Sequence, residues 1–465
     1  MSESTRVLIV GAGPTGLGAA WRLAALGQHD WLLLEADASA GGLAGSVVDD
    51  HGFTWDFGGH VQFSHYAYFD RLMDDLLGPD GWHHLDRDAS VWLRARFVPY
   101  PLQMNVHRLP PDDAEAAVAG LERAVGAGRA ATAANFGEWI DATFGEALAG
   151  LFMRPYNRKV WARAPERLAA HWVGDRVAVP DPARVRDALR LGRDDIAWGP
   201  NRRFRFPVRG GTGAVWRALA ARLQAAAPGR LRFGQRVAAI DTAAREVRLP
   251  SGDRLRYEHL ISTMPLDLCV RASDLAPTLG PATADLEYTT THVIGVALRG
   301  PVPAALAAKC WMYFPEDDCP FYRVTHFSRY AAANVPDPSR YWSLLAEVSE
   351  APSGPRVDRD VVARTLAGLA ATGLVPEASA IHHTWHRRLE RGYPVPSLHR
   401  ERALGVLLPA LAARGVWSRG RFGAWRYEVS NQDHSFAQGV EVVDHLLSGR
   451  PEETLTAPDR VNARR

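Results

Sequence analysis

Lysine is almost missing from this chain. Its 465 residues include two lysines, Lys159 and Lys309, so arginine supplies the other 52 of its 54 basic side chains. Any permanent functional cation is therefore expected to be arginine, whose planar five-donor fork suits carboxylates and phosphates. An excess of one charge is missing too. The 54 basic and 52 acidic residues leave a net charge of +2, which argues against a dedicated nucleic-acid binder. No apolar run reaches the roughly 18 residues that a membrane-spanning helix needs, and no basic segment followed by an apolar stretch marks a secretion signal. No membrane partner is expected. Cysteine is scarce. Cys269, Cys310 and Cys319 are odd in number, fit no metal spacing and read as reduced thiols of a cytoplasmic protein. No metal site is expected. What remains, 47% hydrophobic and 23% charged, is an ordinary globular composition.

The first chemical signal lies at the start. A β-branched run, Arg6 to Val10, is followed by Gly11-Ala12-Gly13-Pro14-Thr15-Gly16, a helical stretch ending at Gly27, and a second buried-strand pattern, Trp31 to Glu35. This is a strand–helix–strand unit with a glycine-rich first turn. Its glycines allow a tight turn and a close pyrophosphate approach, and the helix N-terminus faces the phosphates. Glu35 falls where a ribose-binding acid belongs; its alternative reading is a solvated strand end. Further on, 112–150, 181–195, 357–372 and 432–448 read as helices. Residues 230–265 read as strands turning at Ser251-Gly252-Asp253, and 288–350 is strand-like again. The loop 332–340 and the tail after Gly449 read as the mobile segments. The fold class is α/β.

After the second strand come Gly41-Gly42-Leu43-Ala44 and then Asp56-Phe57-Gly58-Gly59-His60. That order resembles the FAD-dependent family of amine oxidases, protoporphyrinogen oxidases and pyranose mutases, which favours FAD over NAD. The resemblance implies cofactor contacts from Gly11, Gly13, Pro14, Thr15, Gly16, Glu35, Gly42, Leu43, Gly58, Gly59 and His60. It also implies a strand at Arg236-Val237 against the adenine, and backbone N–H groups near Gln432 and Ser435 at a helix start.

Longer stretches resemble one branch of that family. Residues 58–70, 97–105, 151–162 (LFMRPYNRKVWA), 172–180, 198–216, 310–323 (CWMYFPEDDCPFYR), 391–396 and 417–435 are similar to UDP-galactopyranose mutase of the eukaryotic, fungal type, over about residues 5–450. The resemblance implies a Rossmann-like FAD-binding domain (1–60, 204–265 and 400–450) with an inserted helical domain (106–200) bearing flaps near 173–181 and 197–203. It also implies an antiparallel β-sheet substrate domain (61–105 and 266–399) and a tail (451–465).

The activity so implied interconverts UDP-galactopyranose and UDP-galactofuranose without net redox, through a covalent adduct of the sugar with N5 of reduced flavin, with NADPH as the reductant. Arg176 and Arg323 would clamp the two phosphates, and Tyr313, Tyr393 and Tyr427 would donate hydroxyl hydrogen bonds to them. Tyr100, Gln103, Asn157 and Trp161, with Phe63 nearby, would hold the nucleoside. His60 would sit against the flavin, Arg421 near flavin and sugar, Asn201 on the second flap and Asn431 beside the sugar. The catalytic set is thus His60, Arg176, Arg323 and Arg421. This chain departs from the pattern at Leu102, where the fungal enzymes carry an aromatic residue, and at Met104, where they carry a polar one. The sugar and the nucleobase therefore stay open, as does the oligomeric state. The alternatives are an amine-oxidase- or protoporphyrinogen-oxidase-like oxidoreductase, a mutase for another nucleotide sugar, and a flavin-binding protein without catalysis.

Overall fold

Two long hydrophobic strand patterns nucleate two separate sheets. The computed structural model describes residues 3–199, 202–354, 360–375 and 377–464. In the first sheet, β1 (Glu3–Val10) lies between β2 (Trp31–Leu34) and the strand Arg254–Ser262, parallel to both. Buried on both faces, β2 is apolar throughout and β1 over its second half, as a covered parallel sheet requires. Helix α1 (Pro14–Ala25) connects β1 to β2 and packs against the helix Gln432–Ser448. Strands Leu231–Arg232, Ala239–Asp241, Glu246–Arg248 and Val416–Ser418 complete the sheet.

The second sheet runs in the order Ile381–Pro394, Tyr288–Arg299, Tyr341–Glu350, Arg323–His326, Trp311–Tyr313, Ala89–Leu93, Arg96–Pro99. It corrects the expectation of an antiparallel sheet at one joint: Trp311–Tyr313 pairs parallel to Ala89–Leu93. That joint lets the early hairpin 89–99 add to an edge laid down two hundred residues later. A second difference concerns 61–105. The helix Ala67–Leu77 buries Phe69, Leu72 and Met73 in the core beside Leu17 and Trp216, on the dinucleotide side of the molecule.

The helical layer comprises Pro111–Ala127, Phe136–Leu148, Arg154–Trp161 and Pro182–Leu191 around Leu121, Phe136, Ile140, Phe144 and Trp161. A π-helical turn, Ala149–Met153, joins the second of these to the third. Such turns cluster at functional sites, and this one delivers Phe152 and Met153 to the cavity described below.

Both segments expected to be mobile are anchored by buried residues, though Pro336 and Pro338 to Arg340 stay exposed. In 332–340, Asn334 and Val335 are buried, and Asn334 donates to the Phe327 carbonyl at 3.0 Å. The tail folds back as Glu453–Thr456 and Pro458–Asn462. Thr454 is fully buried and hydrogen-bonds the Tyr66 hydroxyl and Glu441. Asn462 donates to the Glu428 carbonyl at 3.1 Å. Their polar, proline-containing composition reads as loop because the partners that bury them lie far away in the chain.

Candidate active site

The crevice at the end of β1 and the start of α1 is shaped for a dinucleotide. A Cβ on Gly16 would lie 1.8 Å from the Gly11 carbonyl oxygen, so that glycine serves protein packing. Gly13 differs. It sits at the N-cap of α1 with no side-chain cap, and a Cβ there would meet no protein atom closer than Gly41 O at 3.9 Å. The space in front of it is open, at a helix end that presents unpaired N–H groups. Pro14 occupies the first helical position, and Thr15 is buried in the first turn. Gly42 reaches back against Gly13, and Leu43 packs at the edge of the core. Glu35 is buried, not a solvated strand end: its carboxylate accepts from Ala12 N at 2.6 Å and Asp37 N at 2.9 Å, while burial raises its pKa. Each oxygen retains a lone pair for a ribose hydroxyl. Val237 lies in a loop and not in a strand, held beside Glu35 by Gln235 N donating to Glu35 O at 2.7 Å. These residues fit FAD.

A second cavity, about 190 Å³, opens between the helical layer and the second sheet. Nine residues named from sequence line it: Tyr100, Gln103, Asn157, Trp161, Arg176, Tyr313, Arg323, Tyr393 and Tyr427. Burial raises the pKa of Tyr100, Tyr313 and Tyr393, so their hydroxyls stay protonated and can donate. Gln103 donates to Ala178 O at 2.8 Å, while its own buried Oε1 has no partner among the described residues. Asn157 donates to Met153 O at 2.8 Å.

Two guanidinium groups flank this wall. Arg323 stands directly opposite Glu347 in the antiparallel register of two strands. Its Nε and Nη2 grip the Glu347 carboxylate, the latter at 2.9 Å. Burial works against both charges, but each holds the other ionised, Arg323 pushed up and Glu347 pulled down. The Tyr322 hydroxyl joins them, 3.3 Å from Glu347 and 3.2 Å from the Tyr393 hydroxyl. Arg176 sits in the short turn Gly174–Arg176, donates to Glu428 O at 2.7 Å and lies over the Tyr427 ring at 5.0 Å.

Gly58-Gly59-His60 runs directly behind. A Cβ on Gly59 would lie 3.5 Å from Arg323 Cζ, and one on Gly58 3.3 Å from Glu347 Oε1. His60 Nδ1 is buried without a partner among the described residues. Burial lowers the His60 pKa to about 4, with Glu347 opposing and the cations of Arg323 and Arg421 adding. His60 is therefore a neutral imidazole at neutral pH. Arg421 donates to Gly392 O at 2.9 Å and Ser430 Oγ at 2.9 Å and lies over the Tyr393 ring at 4.8 Å. Burial lowers its pKa.

The remaining expectations are spread around this centre. Phe63 does not line the cavity; it packs edge-on against His65. Asn201 lies outside the described residues. Asn431 is the N-cap of Gln432–Ser448 and makes no capping bond with its side chain. The Gln432 side-chain oxygen is taken by the protein, accepting from Trp216 Nε1 at 2.7 Å and Gln62 Nε2 at 2.8 Å, which leaves its amide N–H groups and its backbone for a cofactor. Ser435 is buried in the first turn, its N donating to Asn431 O at 2.8 Å. Sequence reasoning missed Glu347, Tyr322, Phe152, Tyr156 and Trp172. Phe152–Tyr156 and Met153–Asn157–Trp161 repeat at the four-residue spacing of one helical face, a signal that would have found Phe152 and Tyr156.

A glycine cradle at a strand-to-helix turn, a buried acid ending the next strand and an arginine–tyrosine cavity behind a second glycine pair define a flavoprotein with a site for an anionic ligand. The chain belongs to the flavin-containing amine oxidoreductase family, whose profile matches residues 14–403, and within it to the UDP-galactopyranose mutases. It is 43% identical to a reduced UDP-galactopyranose mutase of known structure, over 99% of this chain and 98% of that one, with a TM-score of 0.95. More distant likenesses show the fold alone. They include a candidate protoporphyrinogen oxidase from Exiguobacterium sp. 255-15 (17% identity, 97% and 100% coverage, TM-score 0.72). Another is a CLA-producing fatty acid isomerase from P. acnes (17% identity, 96% and 100% coverage, TM-score 0.65).

Proposed function

We propose that this chain is a flavin-dependent mutase that interconverts UDP-galactopyranose and UDP-galactofuranose. The observation that carries the reading is the pairing of Arg176 and Arg323 across a wall of protonated tyrosines, next to the glycine pair that leads to the flavin crevice. Reduced FAD held in this crevice would supply the electron-rich nucleophile for covalent catalysis at the sugar, in place of a protein side chain. Gly11, Gly13, Pro14, Thr15, Gly16, Glu35, Gly42 and Leu43 would hold its dinucleotide part, with Val237 near the adenine.

The chain's own residues do the rest. Arg323, locked by Glu347, and Arg176, braced on the Glu428 carbonyl, bind the diphosphate, and their charge is worth most when the bond to the sugar breaks. Tyr313, Tyr393 and Tyr427 donate to the same oxygens. Gln103 offers an unpartnered carbonyl oxygen to a base N–H, beside Tyr100, Asn157 and Trp161. Leu102 is fully buried in the helical core and does not line the cavity. Phe152 and Tyr156, with ring planes 24° apart and centroids 5.3 Å apart, furnish an aromatic wall. His60 stays neutral beside the flavin and accepts no proton until the pH is well below 6. Arg421 orients the Tyr393 ring. Asn431, free of capping duty, serves the sugar.

Ligand pockets for molecules of drug size run to roughly 300–1,000 Å³, so a cavity of about 190 Å³ admits a nucleotide sugar only when the turn carrying Arg176 swings out. NADPH as reductant rests on resemblance to the eukaryotic mutases. A cytoplasmic site rests on three buried, unbridged cysteines and on the lack of any long apolar helix among the described residues.

The oxidase alternative draws no support from the lysines. Lys159 is tied to the carbonyls of Phe314 and Phe321 at 3.0 and 3.2 Å, and Lys309 to Ser90 Oγ at 2.9 Å. The test is product analysis: the dithionite-reduced protein incubated with UDP-galactofuranose is expected to yield UDP-galactopyranose. Oxygen uptake with an amine and no isomerisation would contradict the reading.

The state of His60 gives a second expectation. Its folded pKa of about 4 lies below the unfolded value of about 6.5. Its contribution to stability is thus present above 6.5 and falls away as the pH drops toward 4. In kcat/KM, His60 is expected to cause no break between pH 5 and 8. A break near 6.5 in the wild type that vanishes in His60→Gln would disprove the neutral assignment.

A further inference from the structure

The C-terminal tail reaches the arginine–tyrosine wall from behind. Two contacts fix its start: Arg419 Nη2 donates to Glu452 at 2.6 Å, and Thr454 N donates to Glu441 at 2.9 Å. Pro458 then opens the short helix Pro458–Asn462, where its fixed φ suits the first helical position. Val461 is fully buried and seats this helix on the protein. The helix packs on two turns of the candidate site, Gly174–Arg176 and Tyr427–Val429. A Cβ on Gly174 would lie 3.8 Å from Asp459 Oδ1.

Asn462 and Arg176 meet at one atom. The Glu428 carbonyl oxygen accepts from Arg176 Nη2 at 2.7 Å, from Arg176 Nε at 3.2 Å and from Asn462 Nδ2 at 3.1 Å. A carbonyl oxygen has two lone pairs, so the guanidinium and the amide share it. The side chain of Glu428 is held as well. Arg400, fully buried, donates to both of its carboxylate oxygens, at 2.8 and 2.9 Å. With its carboxylate held by Arg400 and its carbonyl by Asn462, Glu428 presents a fixed acceptor to Arg176. The two arginines of the wall thus get their aim differently. Arg323 is locked by the Glu347 carboxylate. Arg176 has no carboxylate partner among the described residues and rests on this carbonyl and on the Tyr427 ring. A donor binds well only when its own supports hold it in place.

We propose that Asn462 is a positioning residue for diphosphate binding. It holds the Glu428 carbonyl against which Arg176 is aimed, and so makes the tail part of the substrate site. This role rests on the reading of Arg176 as a diphosphate donor.

The experiment measures UDP affinity by calorimetry on flavin-loaded protein, as a double-mutant cycle. Asn462→Ala is expected to weaken UDP binding about threefold to tenfold, the scale of one hydrogen bond. Flavin content and circular dichroism should match the wild type, since Asn462 is only half-buried. In an Arg176→Ala background the same substitution is expected to change UDP affinity by less than about twofold, because its effect runs through the guanidinium. A chain ending at Ala457 is expected to bind UDP no better than Asn462→Ala does. Unchanged affinity in Asn462→Ala, or an equal loss with and without Arg176, would overturn the role of Asn462 alone. Failure of the wild type to bind UDP would overturn the reading of Arg176, and this role with it.

Discussion

Arg323→Ala is expected to cost turnover and stability together. The guanidinium is a diphosphate donor, and losing one such preorganised donor costs about 10²–10³ in kcat. Its removal also strands the Glu347 carboxylate, which is 2% exposed. Breaking a buried pair from one side costs about 3–5 kcal/mol. The two effects can be separated. In the double variant Arg323→Met/Glu347→Gln no charge is left buried, so unfolding in urea should return toward wild type while turnover stays low. Recovery of turnover in the double variant, or undiminished turnover in Arg323→Ala, would remove Arg323 from the site.

Gly13→Val is expected to give a folded, colourless protein. Gly13 has φ −76° and ψ −177°, a conformation any residue adopts, and its Cβ direction is clear of protein atoms to 3.9 Å. The valine methyls would therefore enter only the space meant for the pyrophosphate. Circular dichroism should match the wild type and flavin absorbance should be absent after purification. Wild-type flavin content in this variant would refute the placement of the dinucleotide.

Much of the fold was legible for a local reason. Gly11, Gly13 and Gly16 sit at a strand-to-helix turn, and the spacing alone demands close backbone approach; Glu35 follows at the end of the next strand. The long motifs carried Arg176, Arg323 and the tyrosines to one cavity. What stayed hidden depends on register. Glu347 looks like any polar position of a buried strand, and only its alignment with Arg323 turns it into the arginine's counter-ion. Gln432 lies where the motif places it, yet its side chain answers to Trp216, brought in by a different helix. The tail reads as loose because its anchors, Tyr66 and Glu428, belong to other parts of the chain.

The central claim is that the flavin must be reduced but is not spent. It is tested by reducing the bound flavin once, without oxygen or further reductant, and adding excess UDP-galactofuranose while flavin absorbance is followed. The account predicts many molecules of UDP-galactopyranose per flavin with the cofactor still reduced, and none from the oxidised protein. Product limited to one molecule per flavin, with reoxidation in proportion, would contradict it.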